Sequence, residues 1–413
     1  MTARLPEQGQ SWDAIERTLT AMRRDDLDWR GGRHAAYVWY ASDEVEKVAE
    51  RAYAMFMVEN GLGARVFPSL RRMESDVVQS VAGLLHGDEA TAGHMTSGGT
   101  ESIFLATAAA RAWAQQHRPE VERPRIVAAY SAHPGINKAA YYLGMEVVRV
   151  PTRPDHRADP AAMAAAITSD TVMLYGSAPA YSLGVIDPIA DLGRLSAERG
   201  LWFHVDACVG GILAPFVRRA EYPVPPFDFE LPGVTSISAD LHKSGFAAKG
   251  ASVLLFRDAE HQAFSRYDFE DWPTGLYSTL TFTGTRPGGA IAAAWAVMQH
   301  LGEEGYLEIA RTVMQARERF VAGLETIDGL HLWSNPELWA VAFGATGYDI
   351  HAVAAAMTER GWSVGRVREP RGIHLMITPV HDPVIDAYLD DLRASVEQVK
   401  AGESTTAAGP VRY

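Results

Sequence analysis

Four short motifs of this chain carry side chains whose types and spacing could do chemistry together. Thr96–Ser102 (TSGGTES) places two glycines before a helical run, so free backbone N–H groups and hydroxyls could bind a phosphate group. His133, Asp206 and Lys243 each follow a short apolar run that is typical of a β-strand. Each motif also has a purely structural interpretation: a capped helix start, a packed ring, a carboxylate that caps a turn, and a solvated cation.

Taken together, these motifs meet the needs of one cofactor. His133, Asp206 and Lys243 follow predicted strands in chain order, the glycine motif precedes them, and ligands of open α/β sheets bind beyond the carboxyl ends of the strands. Pyridoxal 5'-phosphate needs a lysine for a Schiff base, a carboxylate facing its pyridine nitrogen and a site for its phosphate, and an aromatic ring can stack on its pyridine. The sequence therefore predicts a pyridoxal 5'-phosphate site.

The elements that position these motifs are short apolar runs alternating with helical patterns. Such alternation predicts an α/β fold with a mostly parallel sheet between helices. The runs predicted as strands are Arg125–Tyr130, Glu146–Val150, Thr171–Tyr175, Leu201–Val205, Val234–Ala239 and Ser252–Phe256.

Four parts of the chain are predicted, because 413 residues exceed the usual size of a single core. Residues 1–60 form an N-terminal helical segment, with helices over Ser11–Arg24 and Asp43–Asn60. Residues 61–305 form the large cofactor-binding domain, 306–400 a small C-terminal α/β domain, and 401–413 a flexible polar tail.

Composition and missing motifs exclude several classes of protein. The net charge of −13 argues against a protein that coats nucleic acid. The single cysteine, Cys208, cannot form an internal disulfide, and with no signal peptide and no long apolar run we expect a cytoplasmic protein without a membrane span. The G-x-x-x-x-G-K-S/T, G-x-G-x-x-G, H-E-x-x-H and G-x-S-x-G motifs are missing, and no metal site is predicted.

On these residues the chain resembles the sphingosine-1-phosphate lyase family of the group II pyridoxal-phosphate-dependent decarboxylase superfamily. The resemblance runs from about Trp29 to Leu392 and implies a fold type I enzyme. The H-K dipeptide and the H-V-D-A motif are shared by the superfamily, whereas GTRPGG and HLMITPVH are more specific to the lyases. The matching stretches are Thr96–Ser102, Ala132–Ala139, Val205–Gly211, Ser236–Gly250, Gly284–Gly289 and Gly372–His381.

The resemblance implies a role for each cofactor residue. Lys243 would form the Schiff base, Asp206 would meet the pyridine nitrogen and His133 would stack on the ring, so these three are the predicted catalytic residues. The GTRPGG loop, with Gly284 and Thr285, would approach the cofactor of a neighbouring subunit, which implies a homodimer with shared active sites. The residues expected around the cofactor phosphate are Ser97, Gly98, Gly99, Thr100 and His242.

The expected substrate is a small-molecule amine, and four residues are predicted to contact it. Lys249 matches a lysine that the lyases use near the active site, and Tyr37 and Arg286 are further candidates. The lyases usually have a histidine for the substrate phosphate where this chain has Gly63, so the nearby Arg65 is predicted to supply positive charge instead.

Two reactions fit this cofactor site. The first is retro-aldol cleavage of a β-hydroxyamine, phosphorylated or not, to an aldehyde and a smaller amine. The alternative is α-decarboxylation of an amino acid on the same scaffold. A third class, a non-catalytic binding protein with this fold, is disfavoured because Lys243, Asp206 and His133 are all present.

Overall fold

A seven-stranded sheet forms the centre of this computed structural model, which describes residues 5–62 and 65–402. The strand order is β1-β7-β6-β5-β4-β2-β3, and only β7 runs against the others. The mostly parallel sheet predicted from sequence is therefore confirmed. Its strands are β1 (Ala92–Thr96), β2 (Arg125–Ala129), β3 (Glu146–Val150), β4 (Thr171–Ser177), β5 (Trp202–Asp206), β6 (Ser236–Ala239) and β7 (Ser252–Phe256).

The sequence did not predict strand β1. Its sequence AGHMT contains no apolar run and only one β-branched residue, so it lacks the usual strand signal. Pairing with β7, in which Thr96 lies opposite Ser252, makes it a strand. This pairing matters for function because Thr96 leads directly into the glycine motif.

Helices cover the sheet, because the apolar side chains of its central strands must be buried. Every residue of β4, β5, β6 and β7 is buried, so these strands appear in the sequence as short apolar runs. The helices that follow the strands are α4 (Gly99–His117), α5 (Gly135–Leu143), α6 (Pro160–Ala166), α7 (Ile189–Arg199), α8 (Ala214–Arg219) and α9 (Ala259–Ala263).

Three helices precede the sheet. They are α1 (Trp12–Met22), α2 (Asp43–Met55) and α3 (Pro68–Leu84). The side chain of Ser42 accepts a hydrogen bond from Val45 N–H and so caps α2, which ends five residues before its predicted limit at Asn60. Helix α1 has no buried residue.

The smaller C-terminal α/β unit is also present as predicted. The long helix α10 (Gly288–Glu325) is interrupted at Gly302, where φ is 54°, close to the predicted domain limit at residue 305. The domain limits themselves stay predictions, and most of the predicted tail lies outside the described residues. The remaining elements are the antiparallel sheet of β10 (Leu330–Leu332), β11 (Ala340–Ala345), β12 (Gly365–Val367) and β13 (Gly372–Met376), the hairpin of β8 (Tyr267–Phe269) and β9 (Tyr277–Thr279), and helices α11 (Ile350–Glu359) and α12 (Ile385–Lys400).

None of the helices in the described part of the chain combines the length and apolar character that crossing a membrane requires.

Candidate active site

A pocket of about 360 Å³ lies at the carboxyl ends of β4, β5 and β6. The parallel strands deliver their following turns to one edge of the sheet, so residues far apart in sequence meet there. Eight of the residues predicted to surround the cofactor line this pocket: Ser97, Gly98, Gly99, Thr100, His133, Asp206, His242 and Lys243.

Lys243 lies in the turn after β6, with its Nζ 2.9 Å from Oδ2 of Asp240. Burial alone would lower the pKa of this amine, but the buried Asp240 carboxylate and the neighbouring Cys208 and Asp206 raise it above its usual range. Asp240 therefore holds Lys243 as an ammonium ion. Asp240 has no role among the residues predicted from sequence, although it lies only three residues before Lys243.

Asp206 is the last residue of β5 and is 7% exposed. Its Oδ1 accepts a hydrogen bond from Cys208 N–H at 3.0 Å, and its Oδ2 accepts one from the Tyr175 hydroxyl. Burial would raise the pKa of this carboxyl, but His133 and the side chains of Tyr175 and Cys208 together hold it below the usual range. The group therefore stays a carboxylate, as a partner for a protonated pyridine nitrogen must.

His133 lies in the turn between β2 and α5. Its Nδ1 accepts a hydrogen bond from Gly135 N–H at 3.0 Å, so the neutral ring carries its proton on Nε2. Burial lowers the pKa of His133, although the nearby Asp206 opposes this effect. An uncharged, oriented ring suits stacking on an aromatic cofactor.

The glycine motif lacks side chains at Gly98 and Gly99, so a ligand group can approach its backbone closely. A Cβ added at Gly99 would lie 2.7 Å from Cys208 Sγ and 2.8 Å from Asp240 Oδ2, so a larger residue would fill the space. Gly99 begins α4, a helix of 19 residues whose first N–H groups face this space. Glu101 accepts a hydrogen bond from Ser97 N–H at 2.6 Å and another from Phe282 N–H at 3.0 Å, and so ties the motif to the segment before GTRPGG.

These features fit pyridoxal phosphate. The helix start suits its phosphate, Asp206 its pyridine nitrogen and Lys243 its aldehyde carbon. In addition, the Oγ of Ser177 lines the pocket, is buried and has no hydrogen-bond partner among the described residues, so a ligand could satisfy it.

Six other predicted residues do not line this pocket: Gly284, Thr285, Arg286, Lys249, Tyr37 and Arg65. Lys249 lies close by, since its Nζ donates to the His242 carbonyl oxygen at 2.9 Å. Burial, reinforced by Lys243, lowers the pKa of Lys249 to about 8. Arg65 is exposed ahead of α3, and Gly63, the expected departure from the lyases, lies outside the described residues.

Within one chain, Arg286 is engaged elsewhere. Its Nη2 lies 2.9 Å from Oε2 of Glu74, its Nη1 contacts the other carboxylate oxygen, and its side chain is 14% exposed. Glu74 also accepts a hydrogen bond from Met95 N–H at 2.9 Å. The arginine therefore braces strand β1 ahead of the glycine motif. Its contact with substrate stays a prediction, as do the cofactor contacts of Gly284 and Thr285.

A second cavity, of about 1330 Å³, adjoins the pocket and shares His133 and Tyr181 with it. Tyr37 lines this cavity, together with segments of the large and the small domain. The ring of Tyr181 lies 6.5 Å from that of His133 and 5.1 Å from that of His374, measured between centroids. Sequence patterns had not singled out Tyr181, because no motif marks it.

Similarity to known proteins agrees with this geometry. A family model described as the pyridoxal-dependent decarboxylase conserved domain matches residues 53–346. The sphingosine-1-phosphate lyase of Arabidopsis thaliana is 40% identical over 98% of this chain and 75% of that protein. Sphingosine-1-phosphate lyase 1 of Rattus norvegicus is 37% identical over 98% of this chain and 72% of that protein.

Solved structures extend the similarity to the fold. The sphingosine-1-phosphate lyase of Burkholderia pseudomallei superposes with a TM-score of 0.94 at 36% identity and covers 97% of this chain and 94% of that chain. Glutamate decarboxylase of Lactobacillus brevis, with a TM-score of 0.85, 19% identity and coverage of 98% and 96%, shares the fold. The predicted fold, cofactor and lyase class are thereby confirmed. This chain belongs to the sphingosine-1-phosphate lyase family and is a pyridoxal-phosphate-dependent lyase.

Proposed function

We propose that this lyase cleaves a phosphorylated β-hydroxyamine of the sphingosine-1-phosphate type. The bond between the amine-bearing and the hydroxyl-bearing carbon breaks, and an aldehyde and a smaller phosphorylated amine are released. The observation that carries the proposal is the meeting of Lys243, Asp206 and His133 with the glycine motif in one pocket. The relatives named as sphingosine-1-phosphate lyases support the choice of substrate class.

The side chains of the pocket have separable tasks in this reaction. When bound, pyridoxal phosphate supplies an electron sink conjugated with the substrate amine. Asp206, held as a carboxylate, stabilises positive charge at the pyridine nitrogen. Asp240 Oδ2 holds the protonated Nζ of Lys243 in the pocket and would take its proton before the amine acts as a nucleophile.

Cleavage also requires a group that takes the proton of the substrate hydroxyl. His133 is unsuited, because its Nδ1 already accepts the Gly135 N–H and its other nitrogen carries a proton. We propose Tyr181, which lies where the two cavities meet and so faces a substrate that spans them. It would act as the phenolate, which takes the hydroxyl proton and becomes the neutral phenol. Tyr181→Phe should then lower kcat while the bound cofactor keeps its absorbance spectrum.

A substrate panel on the purified holoenzyme tests the proposal. Sphingosine-1-phosphate, unphosphorylated sphingosine and glutamate would be compared, and both aldehyde and CO₂ would be measured. We expect aldehyde from the phosphorylated amine and no CO₂ from glutamate. Release of CO₂ without aldehyde would instead support the decarboxylase alternative.

We propose that the active unit is a homodimer with shared active sites. Helix α1 supports this, because its apolar side chains Trp12, Leu19 and Met22 are 64%, 49% and 70% exposed. Phe282, in the segment before GTRPGG, is 69% exposed as well. Sedimentation equilibrium should show a dimer at assay concentrations, and an active monomer there would contradict the proposal.

A cytoplasmic location is a further proposal. It is supported by Cys208, a buried free thiol in a chain that has no second cysteine. Fractionation of cells that express a tagged chain would test it.

A further inference from the structure

We propose that Arg149 is a positioning residue that holds the turn carrying His133 in place over the cofactor pocket. Arg149 lies in β3, next to Ala128 of β2 in the parallel register. From there its side chain reaches past the end of β2 to the turn in which His133 lies. The inference rests on the stacking of His133 on the cofactor ring that the family resemblance predicts.

The guanidinium of Arg149 contacts both sides of this turn. Its Nη1 donates to the carbonyl oxygens of Tyr130 at 2.7 Å and Ala132 at 2.8 Å, which precede His133 in the chain. Its Nε donates to Oδ1 of Asn137 at 3.0 Å, and Asn137 follows His133 in the first turns of α5. Because one planar group binds residues before and after His133, it restricts the path of the backbone between them.

The partners of Arg149 distinguish this contact from an ordinary ion pair. All of them are uncharged, and no carboxylate in the described part of the chain lies within salt-bridge distance of Arg149. Burial lowers the pKa of this arginine, so the cation is kept there at some cost. The clustered carbonyl groups need several N–H donors in a fixed planar arrangement. The guanidinium of arginine provides this arrangement and the ammonium group of lysine does not.

His133 lies in a turn that backbone hydrogen bonds also hold, from Tyr130 N–H to the Val150 carbonyl oxygen, from Ala132 N–H to that of Ala129 and from Ile136 N–H to that of His133. Its ring is held through Nδ1 by Gly135, the residue that begins α5, and a shift of the turn would therefore move the ring. Arg149 also lines the larger cavity beside the pocket, so it lies close to the reacting groups without contacting the cofactor pocket itself.

Arg257, which directly follows β7 on the other side of the sheet from β3, offers a matched control. It too is partly buried, and it donates to the carbonyl oxygens of Phe229 at 2.9 Å and Val234 at 3.0 Å. However, it lies beside the start of β6, whereas Lys243 follows the end of that strand. Loss of Arg257 should therefore destabilise the fold without moving any residue of the pocket.

The test compares Arg149→Met with Arg257→Met and His133→Ala, using the visible circular dichroism of the bound cofactor and kcat with sphingosine-1-phosphate. We expect Arg149→Met to weaken the dichroism as His133→Ala does, and to lower kcat by about 10- to 100-fold, as for a displacement of about 1 Å at a reacting centre. Arg257→Met should lower the melting temperature but keep both signals.

Two further variants keep the inference testable if Arg149→Met does not fold. Arg149→Lys keeps the positive charge but lacks the several N–H donors of the guanidinium, so its cofactor dichroism and kcat should be as low as those of Arg149→Met. Asn137→Ala should lower both quantities by a smaller amount. Wild-type dichroism and kcat in folded Arg149→Met, or in both milder variants, would overturn the inference. If His133→Ala also leaves the cofactor dichroism and kcat unchanged, both the role of His133 and the inference about Arg149 are wrong. If His133→Ala lowers them and the Arg149 variants do not, only the inference about Arg149 is wrong.

Discussion

The cofactor pocket and the larger cavity beside it share His133 and Tyr181 but are built differently. Most of the pocket comes from turns that directly follow strands, and its charged groups face each other, as Lys243 and Asp240 do. The wall of the larger cavity combines turns after β2, β3 and β4 with residues 35–37 and with 363–370 of the small domain. It carries three arginines, Arg149, Arg366 and Arg368, with one carboxylate, Glu369.

This difference separates chemistry from recognition. Groups that act on the cofactor sit on short turns at strand ends, where local sequence sets their position. Groups that would meet the rest of the substrate lie in a cavity that is completed only when the small domain packs against such turns. The chain has a net charge of −13, yet arginines outnumber carboxylates in the wall of the larger cavity. We therefore expect this cavity to bind a polar or anionic part of the ligand. Variants in the two regions should consequently affect different kinetic constants, except at Arg149, which is proposed to act on kcat through the turn of His133.

The largest effect is expected for Lys243→Ala. Without this amine the cofactor has no covalent bond to the protein, so kcat should fall by about 1000-fold or more. The visible absorbance band of the lysine-bound cofactor should disappear while the far-ultraviolet circular dichroism stays unchanged. A cofactor adduct reducible by borohydride in this variant would show that another lysine does the task.

Asp206→Asn should have the next largest effect. The amide keeps the volume of the side chain but removes the charge opposite the pyridine nitrogen, so kcat should fall by about 100- to 1000-fold. Cofactor content, measured after release in alkali, should stay near that of the wild type. Turnover near the normal rate with cofactor bound would assign the charge to a different group.

Lys249→Met should act on substrate binding rather than on the chemical step. Loss of a charge-assisted hydrogen bond should raise KM for sphingosine-1-phosphate by about 10- to 100-fold and leave kcat nearly unchanged. Arg65→Ala is the comparison variant: Lys249 donates to the carbonyl oxygen of His242, which lines the pocket, whereas Arg65 lies ahead of α3, so its removal should change KM little. A comparable rise of KM in Arg65→Ala would support the phosphate contact predicted for Arg65 from the sequence. An equal rise of KM for unphosphorylated sphingosine would show that Lys249 does not recognise phosphate.

The same lysine predicts a pH dependence. Because its pKa is lowered to about 8, Lys249 carries its charge below that pH and loses it as the pH rises through it. KM for the phosphorylated substrate should therefore increase above about pH 8 in the wild type. The increase should be absent in Lys249→Met, and its persistence there would assign it to another group.

The smallest effect is expected for Glu74→Gln, which weakens the brace between Arg286 and strand β1. The free energy of unfolding should fall by about 1–3 kcal/mol, since Arg286 keeps only part of its hydrogen bonding. Cofactor affinity should weaken slightly, because β1 leads into the glycine motif. If Glu74→Gln instead abolishes turnover at full cofactor occupancy, Arg286 has a role in substrate binding that one chain does not reveal.

By itself, the sequence determined the cofactor site. The glycine motif, His133, Asp206 and Lys243 each directly follow a strand or lead into a helix, and parallel strands bring such turns to one edge for topological reasons. Strand β1 escaped prediction because AGHMT lacks an apolar run and becomes a strand only through its pairing with β7.

Only the tertiary structure decided which other side chains support that site. Glu74 and Arg286 are 212 residues apart, and nothing in either local sequence indicates that they pair. Tyr181 reaches the pocket through the packing of segments that belong to no motif, and the fork of Arg149 depends on where the carbonyl groups after β2 point. These contacts follow from three-dimensional proximity, which residue types and spacing along the chain do not encode, whereas a turn at a strand end is a local property of the sequence.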